Sequence, residues 1–155
     1  MTYRISTAGS DADWEAIHAL LTRAFAFMEG QIDPPSSLTR MAPDCLARKA
    51  EAETVLLATS PGLIGCLFAK PQDGALYLGK IAIDPDHQGQ GIGRALVTAA
   101  EELARQNSQT ALVLETRIEL TENHAAFARL GFVKTAETAH PGYDRPTSIT
   151  MRKVL

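Results

Sequence analysis

Gln88-Gly89-Gln90-Gly91-Ile92-Gly93-Arg94 is the stretch that decides how this chain folds. It follows an apolar run, Tyr77 to Ile83, and a stop signal, Asp84-Pro85, and it leads into a long amphipathic pattern. The order predicts a strand, a glycine-rich turn and a helix N-terminus. The first amides of a helix have no partners within it and carry partial positive charge, so a phosphate group satisfies both needs. Glycines let such a ligand approach the backbone closely.

Two well-known phosphate loops are excluded by spacing. The dinucleotide fingerprint G-x-G-x-x-G would need a glycine at Arg94 or at Leu96. The Walker loop needs Gly-Lys followed by Ser or Thr, and the chain has no such tripeptide. What remains is Gln-x-x-Gly-x-Gly directly after a strand.

This pattern resembles motif A of the GNAT superfamily, the acetyl-CoA-dependent N-acetyltransferases. Two further landmarks agree in order and distance: Ile81-Ala82-Ile83-Asp84-Pro85 precedes the glycines, and Leu130-Gly131-Phe132 follows them. A glycine-rich turn without a ligand is the plainer alternative, and a lone Gly-x-Gly would favour it. The resemblance implies acetyl-CoA as the cofactor, with its pyrophosphate held by the turn residues Gln88, Gly89, Gln90, Gly91, Ile92, Gly93 and Arg94.

Hydrophobic periodicity predicts an α/β fold in a single domain, residues 1–155. We expect helices over about 11–28, capped by Ser10, then over 44–52, from the glycine motif to 106, and from Thr121 or Glu122 to Gly131. Expected strands cover 3–7, 54–59, 63–69, 75–83, 111–116, 132–135 and 148–154. The order matches the GNAT topology, which implies a mixed, mostly antiparallel sheet of six to seven strands flanked by about four helices.

Composition argues against a nucleic-acid-binding, secreted or membrane protein. The 155 residues carry a net charge of −3 and no long basic run, which disfavours a nucleic-acid partner. Cys45 and Cys66 form no C-x-x-C pair, so we expect reduced thiols in a cytoplasmic protein. The segment Met1 to Thr7 has no apolar leader pattern, and no stretch is long enough to predict a membrane span.

Acetyl transfer to an amine needs a base and a donor for the developing oxyanion, since alkylammonium groups are protonated at neutral pH. Glu115, at the end of an apolar strand, is our candidate base. A solvated glutamate, or a partner for Arg117, is an equally weighted alternative. The resemblance implies that the backbone of Ile81 supplies the oxyanion donor, and that Ile81, Ala82 and Ile83 pair with the pantetheine arm.

The last helix departs from the family pattern. Where GNAT enzymes often place a tyrosine acid, this chain has Phe127, so the thiolate leaves unassisted or another group such as Tyr143 or a water protonates it. The family's asparagine position is occupied by Leu120, and the resemblance implies that Asn123 takes over the cofactor contact. The alternative for Asn123 is a local bond to its own backbone. Phe127 is expected to pack beside the pantetheine end.

Other polar residues have open roles. Arg145, in Gly142-Tyr143-Asp144-Arg145, either clamps an acceptor carboxylate or is a solvated loop charge. The loop from Glu29 to Pro43 is long for a compact domain and is expected to shape acceptor choice. His124 and His140 lack metal-ligand spacing, so no metal is predicted.

The sequence leaves two functions open. The first is acetyl transfer from acetyl-CoA to a primary amine, on a small molecule or a peptide, by direct attack in a ternary complex. The second is a non-catalytic acyl-CoA-binding module on the same fold, which Phe127 makes worth considering because fold alone does not imply chemistry. A homodimer is expected only by analogy with relatives.

Overall fold

A computed structural model describes residues 2–155; Met1, the first residue of the segment tested for a leader, lies outside the described part. Within residues 2–155, four α-helices and seven strands follow one another in the expected order. The helices are α1 (Trp14–Phe25), α2 (Pro43–Lys49), α3 (Ile92–Gln106) and α4 (Thr121–Arg129). The strands are β1 (Arg4–Thr7), β2 (Thr54–Thr59), β3 (Leu63–Gln72), β4 (Ala75–Ile83), β5 (Ala111–Arg117), β6 (Val133–Thr138) and β7 (Ser148–Val154).

All seven strands form one open sheet in the order β1-β2-β3-β4-β5-β7-β6. Every neighbouring pair is antiparallel except β4 and β5, which run parallel because α3 connects them. This confirms the predicted mixed, mostly antiparallel sheet flanked by four helices. The single parallel ladder is short: Leu76, Tyr77 and Leu78 pair with Leu112, Val113 and Leu114.

The two faces of the sheet carry separate hydrophobic cores. On one face α3 buries Leu96, Val97 and Ala100 against β2 to β5. On the other face α1 and α2 bury Ile17, Leu20, Leu21 and Leu46 against Val55, Cys66, Phe68 and Ala82. Helix α1 packs over β3 and β4 as well as against α2, so it lies beside the strand that leads into the glycine turn.

Helix α1 begins later than predicted. The Asp13 carboxylate accepts a hydrogen bond from the Ala16 amide at 3.0 Å, so Asp13 rather than Ser10 is the N-cap. The helix ends at Phe25 and a 3-10 turn, Ala26–Met28, replaces its expected last residues. Helix α2 begins one residue before the predicted start, with Pro43 at its first position, and it ends at Lys49 rather than Ala52. A 3-10 turn, Ser37–Arg40, interrupts the predicted loop.

None of the helices described within residues 2–155 is both long enough and apolar enough to cross a membrane.

Candidate active site

The parallel ladder between β4 and β5 stops halfway along both strands. Its last pair joins Leu78 to Leu114, although β4 continues to Ile83 and β5 continues to Arg117. A bulge on β4 begins at the same place: Lys80 has a φ of 49°, and the register against β3 shifts there. The second half of β4, which includes Ile81, therefore leaves β5, and the sheet opens beside it.

The glycine turn presents unpaired main-chain amides. Gly89 and Gly91 adopt left-handed φ values of 78° and 81°, which glycine adopts without strain. Among residues 2–155, no carbonyl accepts a hydrogen bond from the amides between Gln88 and Arg94. A Cβ placed on Gly93, in the first turn of α3, would meet no atom within 4 Å. Exposed donors at a helix N-terminus, with open space in front of them, fit a phosphate group.

Asp84 fixes the base of this turn. It is 6% exposed, its carboxylate accepts hydrogen bonds from the Asp86 amide at 2.9 Å and from Arg23 at 2.7 Å, and its own amide bonds to the Ile64 carbonyl. Burial alone would raise the pKa of Asp84, but these hydrogen bonds and the Arg23 charge outweigh it and lower the pKa below its usual value. Helix α1 is thereby tied to the turn.

A cavity of about 690 Å³ lies at the opening of the sheet, on the face that carries α1 and α2. Its floor is formed by Tyr77 to Ile81 of β4 and Leu114 to Arg117 of β5. Its roof is the loop between α1 and α2, and its far wall comes from α4 and the segment between β6 and β7. A smaller, mainly apolar pocket of about 370 Å³ continues beneath the same loop, next to Phe25, Met28 and Leu38.

The loop is fastened across the cavity by polar contacts. The Tyr143 hydroxyl donates to the Asp33 carboxylate at 2.7 Å, and Arg145 donates to the same carboxylate at 3.0 Å. The guanidinium of Arg117 donates to the carbonyls of Pro34 and Pro35. We call this set of contacts the loop fastening. Arg145 is exposed, as the alternative of a solvated loop charge predicts, and it pairs with Asp33; its role as an acceptor clamp stays a prediction.

Glu115 is where the candidate base was expected. It is exposed on β5, lines the cavity, and forms no ion pair with Arg117 or any other described residue. The alternative of an Arg117 salt bridge is therefore wrong. Nearby, burial and the Glu115 charge raise the pKa of Tyr77 to about 12, so Tyr77 stays a neutral phenol in this cavity.

Tyr143 also lines the cavity, but its hydroxyl proton is held in a hydrogen bond to Asp33. The hydrogen bond to Asp33 raises the pKa of Tyr143 above its usual value, which makes the phenol a weaker acid. Its role as the acid stays a prediction, and it requires that the bond to Asp33 opens.

Helix α4 brings Asn123 and Phe127 to the same cavity. The Phe127 ring packs edge-on against Phe132 with centroids 5.9 Å apart, so packing accounts for part of its role. Asn123 lies one turn earlier, in the first turn of the helix. The cofactor contacts predicted for both residues stay predictions.

The histidines are held by local hydrogen bonds. His124 contacts the Arg117 carbonyl at 2.8 Å, and His140 contacts Thr147 while lining the cavity. The sequence analysis does not identify two residues of the cavity, Tyr77 and Lys80. They belong to an apolar run, whose side chains are expected in the hydrophobic core. The alternation of polar with apolar residues in Tyr77-Leu78-Gly79-Lys80 is the signal that marks them.

The chain is similar in sequence to known acetyltransferases. The family model described as "Acetyltransferase (GNAT) family" matches residues 14–132, which is most of the chain. A mycothiol acetyltransferase from Frankia alni is 30% identical over 143 residues, covering 87% of this chain and 41% of that protein. The chain thus spans about two fifths of the length of this curated relative.

Solved structures show the same fold. The PaiA N-acetyltransferase from Thermoplasma acidophilum, in complex with coenzyme A, superposes with a TM-score of 0.84 at 15% identity and covers all of both chains. The ribosomal-protein-S18-alanine N-acetyltransferase from Escherichia coli gives a TM-score of 0.76 at 24% identity, covering 99% of this chain and 94% of that one. With its glycine turn, opened sheet and matched family model, the chain belongs to the acetyltransferase (GNAT) family.

Proposed function

We propose that this protein transfers an acetyl group from acetyl-CoA to a primary amine. One observation carries the proposal: the unpaired amides of Gln88 to Arg94 lie at the end of the opened β4, which in turn borders a cavity containing an unpaired carboxylate, Glu115. Pyrophosphate on the turn would leave the pantetheine arm along Ile81, Ala82 and Ile83. Its thioester would then reach the cavity.

The reaction proceeds by direct attack in a ternary complex. The amine nitrogen attacks the thioester carbonyl carbon, the C–N bond forms, the C–S bond breaks, and coenzyme A leaves as its thiolate. Glu115, directly or through a water, takes the proton that the ammonium must lose. The Ile81 amide donates to the developing oxyanion. No covalent enzyme intermediate is needed, and the buried thiol of Cys66 could not form one, since burial raises its pKa to about 12.

Protonation of the leaving thiolate does not depend on a strong acid, because the pKa of a thiol is roughly 8.5. A tyrosine at position 127 is absent, and Tyr143 donates to Asp33. After attack, the nitrogen carries one proton more than the product amide. We infer that this proton passes to the leaving thiolate through water, or through Tyr143 released from Asp33. The proton that Glu115 gained then returns to solvent.

Acceptors of two kinds agree with the named relatives. One relative is a mycothiol acetyltransferase, and another acts on the alanine of ribosomal protein S18. By analogy with these two proteins, we propose a small-molecule or peptide amine as the acceptor, and acetyl-CoA as the donor.

The test is release of coenzyme A, followed with a thiol reagent, over a panel of amines, amino acids and short peptides. We expect turnover with at least one acceptor, and double-reciprocal plots that intersect for the two substrates. Parallel plots would contradict direct attack. Tight binding of acetyl-CoA in calorimetry, with no turnover on any acceptor, would overturn the enzyme proposal in favour of an acyl-CoA-binding module.

A further inference from the structure

Cationic side chains outnumber carboxylates along the wall of the cavity. Arg40, Lys80 and Arg117 line it, against the single carboxylate of Glu115. Among residues 2–155, none of these four forms an ion pair within 4.0 Å. Three positive charges minus one negative charge leave a surplus of two among the lining residues. Two further carboxylates, Glu119 and Asp33, lie near Arg117, and Asp33 is paired with Arg145.

Lys80 is half-buried and forms no ion pair with any residue between 2 and 155. The carboxylate whose charge acts on it, Glu53, has a side chain that is 7% exposed and already bound to Lys49 at 2.7 Å. Burial and the Lys49 charge lower the pKa of Lys80. Neither Tyr77 nor Cys66 supplies a negative charge, since the pKa of each is raised to about 12. A half-buried ammonium without a counter-charge is costly, and a bound anion would remove that cost.

The other two cations are less suited to hold a ligand. Arg117 already donates to the carbonyls of Pro34 and Pro35. Arg40 is exposed to solvent, where water screens its charge. Lys80 adjoins Ile81, the residue beside which the thioester is expected. An anion on Lys80 would therefore lie close to the reacting centre.

Resting on the proposed transferase function, we propose that the acceptor amine also bears a carboxylate, as a free amino acid does, and that Lys80 binds this carboxylate. The cavity then offers one cation and one anion to a zwitterion. The acceptor's amine faces Glu115, and its carboxylate satisfies the ammonium of Lys80. The apolar pocket beside Phe25, Met28 and Leu38 is available to a side chain of the acceptor.

Matched acceptors test this directly. Leucine, leucinamide and isoamylamine share the apolar group and differ in the carboxylate, and a leucine-initiated peptide keeps the amine but moves the carboxylate away. We expect kcat/KM to be highest for leucine or another free amino acid. Lys80→Gln should lower kcat/KM for the amino acid by about tenfold to a hundredfold. It should lower the isoamylamine value much less than the leucine value, and Lys80→Arg should restore part of the loss.

Lys70→Gln is the matched control, because Lys70 lies opposite Tyr77 on β3 and does not line the cavity. It should leave the ratio of leucine to isoamylamine activity unchanged. Equal activity on the three leucine compounds, or a preference for the peptide, would overturn the inference while leaving the transferase intact. Acetylation of Lys80 itself, detected by mass spectrometry after incubation with acetyl-CoA alone, would also overturn it. Absence of turnover on every amine would instead count against the transferase function.

Discussion

At the scale of single residues, the three glycines of the turn serve different needs. Gly89 and Gly91 have left-handed backbones, which any side chain would strain. Gly93 has no such φ, and a Cβ there would contact nothing in the protein. The fold itself therefore gives no reason for a glycine at position 93. The open space in front of it leaves room for the pyrophosphate that we propose binds there.

Gly93→Ala separates stability from cofactor binding. Alanine is the better helix former by about 0.5–1 kcal/mol, so the free energy of unfolding in urea should rise by about that amount. The KM for acetyl-CoA should rise at least tenfold, because the methyl group occupies the space of the pyrophosphate. Gly62→Ala, also in open space, is the control and should not change the KM. An unchanged KM in Gly93→Ala would place the pyrophosphate elsewhere.

Glu115→Gln tests the base. We expect kcat to fall by about a hundredfold to ten-thousandfold, the usual contribution of a general base. The loss should shrink at high pH, where solvent deprotonates the acceptor ammonium without help. Steady-state rates between pH 6 and 10 measure both effects, with Glu122→Gln on the exposed side of α4 as the control. A rate equal to that of the unchanged protein at every pH would remove Glu115 from the mechanism.

The two cysteines should react very differently. Burial raises the pKa of Cys66 to about 12, so its thiol stays protonated, whereas Cys45 is only half-buried. A thiol reagent at pH 8 should therefore label one cysteine in the folded protein and two in urea. Peptide mapping that finds label on Cys66 in the folded state would contradict the burial described above.

At the scale of elements, the residues that end β4 also join this strand to helix α1. Asp84 caps the 3-10 turn Pro85–His87, binds Arg23 of α1, and so fixes the direction in which the chain enters the glycine turn. From the sequence, Asp84-Pro85 is predicted to end the strand. Its tie to α1 was not predictable, because the two residues are 61 positions apart and no local pattern links them.

Asp84→Asn should weaken both stability and cofactor binding. The charge-assisted bond to Arg23 is lost, at a cost of about 1–3 kcal/mol in the free energy of unfolding. The pKa of Asp84 is lowered on folding, so its contribution is present above its unfolded value of 3.8 and is lost as the pH falls through the folded pKa. Urea unfolding at pH 3 and pH 6 should thus show a smaller difference between the two proteins at pH 3. Equal differences at both pH values would contradict this linkage.

At the scale of the whole molecule, the cavity exists because distant segments meet over the opening of the sheet. The loop between α1 and α2 reaches the segment before β7 through Asp33, Tyr143 and Arg145. These residues are about 110 positions apart in the chain. The loop fastening therefore couples the first third of the protein to its last strands.

Asp33→Ala removes the centre of the loop fastening. Tyr143 and Arg145 both lose their acceptor, so the loop should become more mobile and the KM for the acceptor should rise severalfold. The dissociation constant for acetyl-CoA should stay the same, because the glycine turn is untouched. Initial rates, calorimetry and limited proteolysis of the loop measure the three quantities. Asp44→Ala, an exposed aspartate on α2, is the control.

Much of this architecture was predictable from local patterns. Strands β2, β4 and β7 begin and end at the predicted residues, since alternation and turn residues mark their limits. No local pattern predicts that Lys153 of β7 binds Glu101 of α3 at 2.6 Å. The pairing of Asp33 with Arg145, and the half-buried ammonium of Lys80, were equally unpredictable. Such contacts depend on which segments meet in space, and one sequence does not record that.

The short ladder between β4 and β5 also suggests where the chain could be cut into two fragments. Only three residue pairs join the strands on either side of it, and the chain crosses from one to the other through α3. Two fragments cut after that helix would each retain an antiparallel sheet, β1 to β4 in one and β5, β7 and β6 in the other. An acetyl-CoA molecule bound in the gap would contact both fragments. The two fragments would then associate to an extent set by the concentration of acetyl-CoA in the cell. A split reporter attached to the fragments would measure that association.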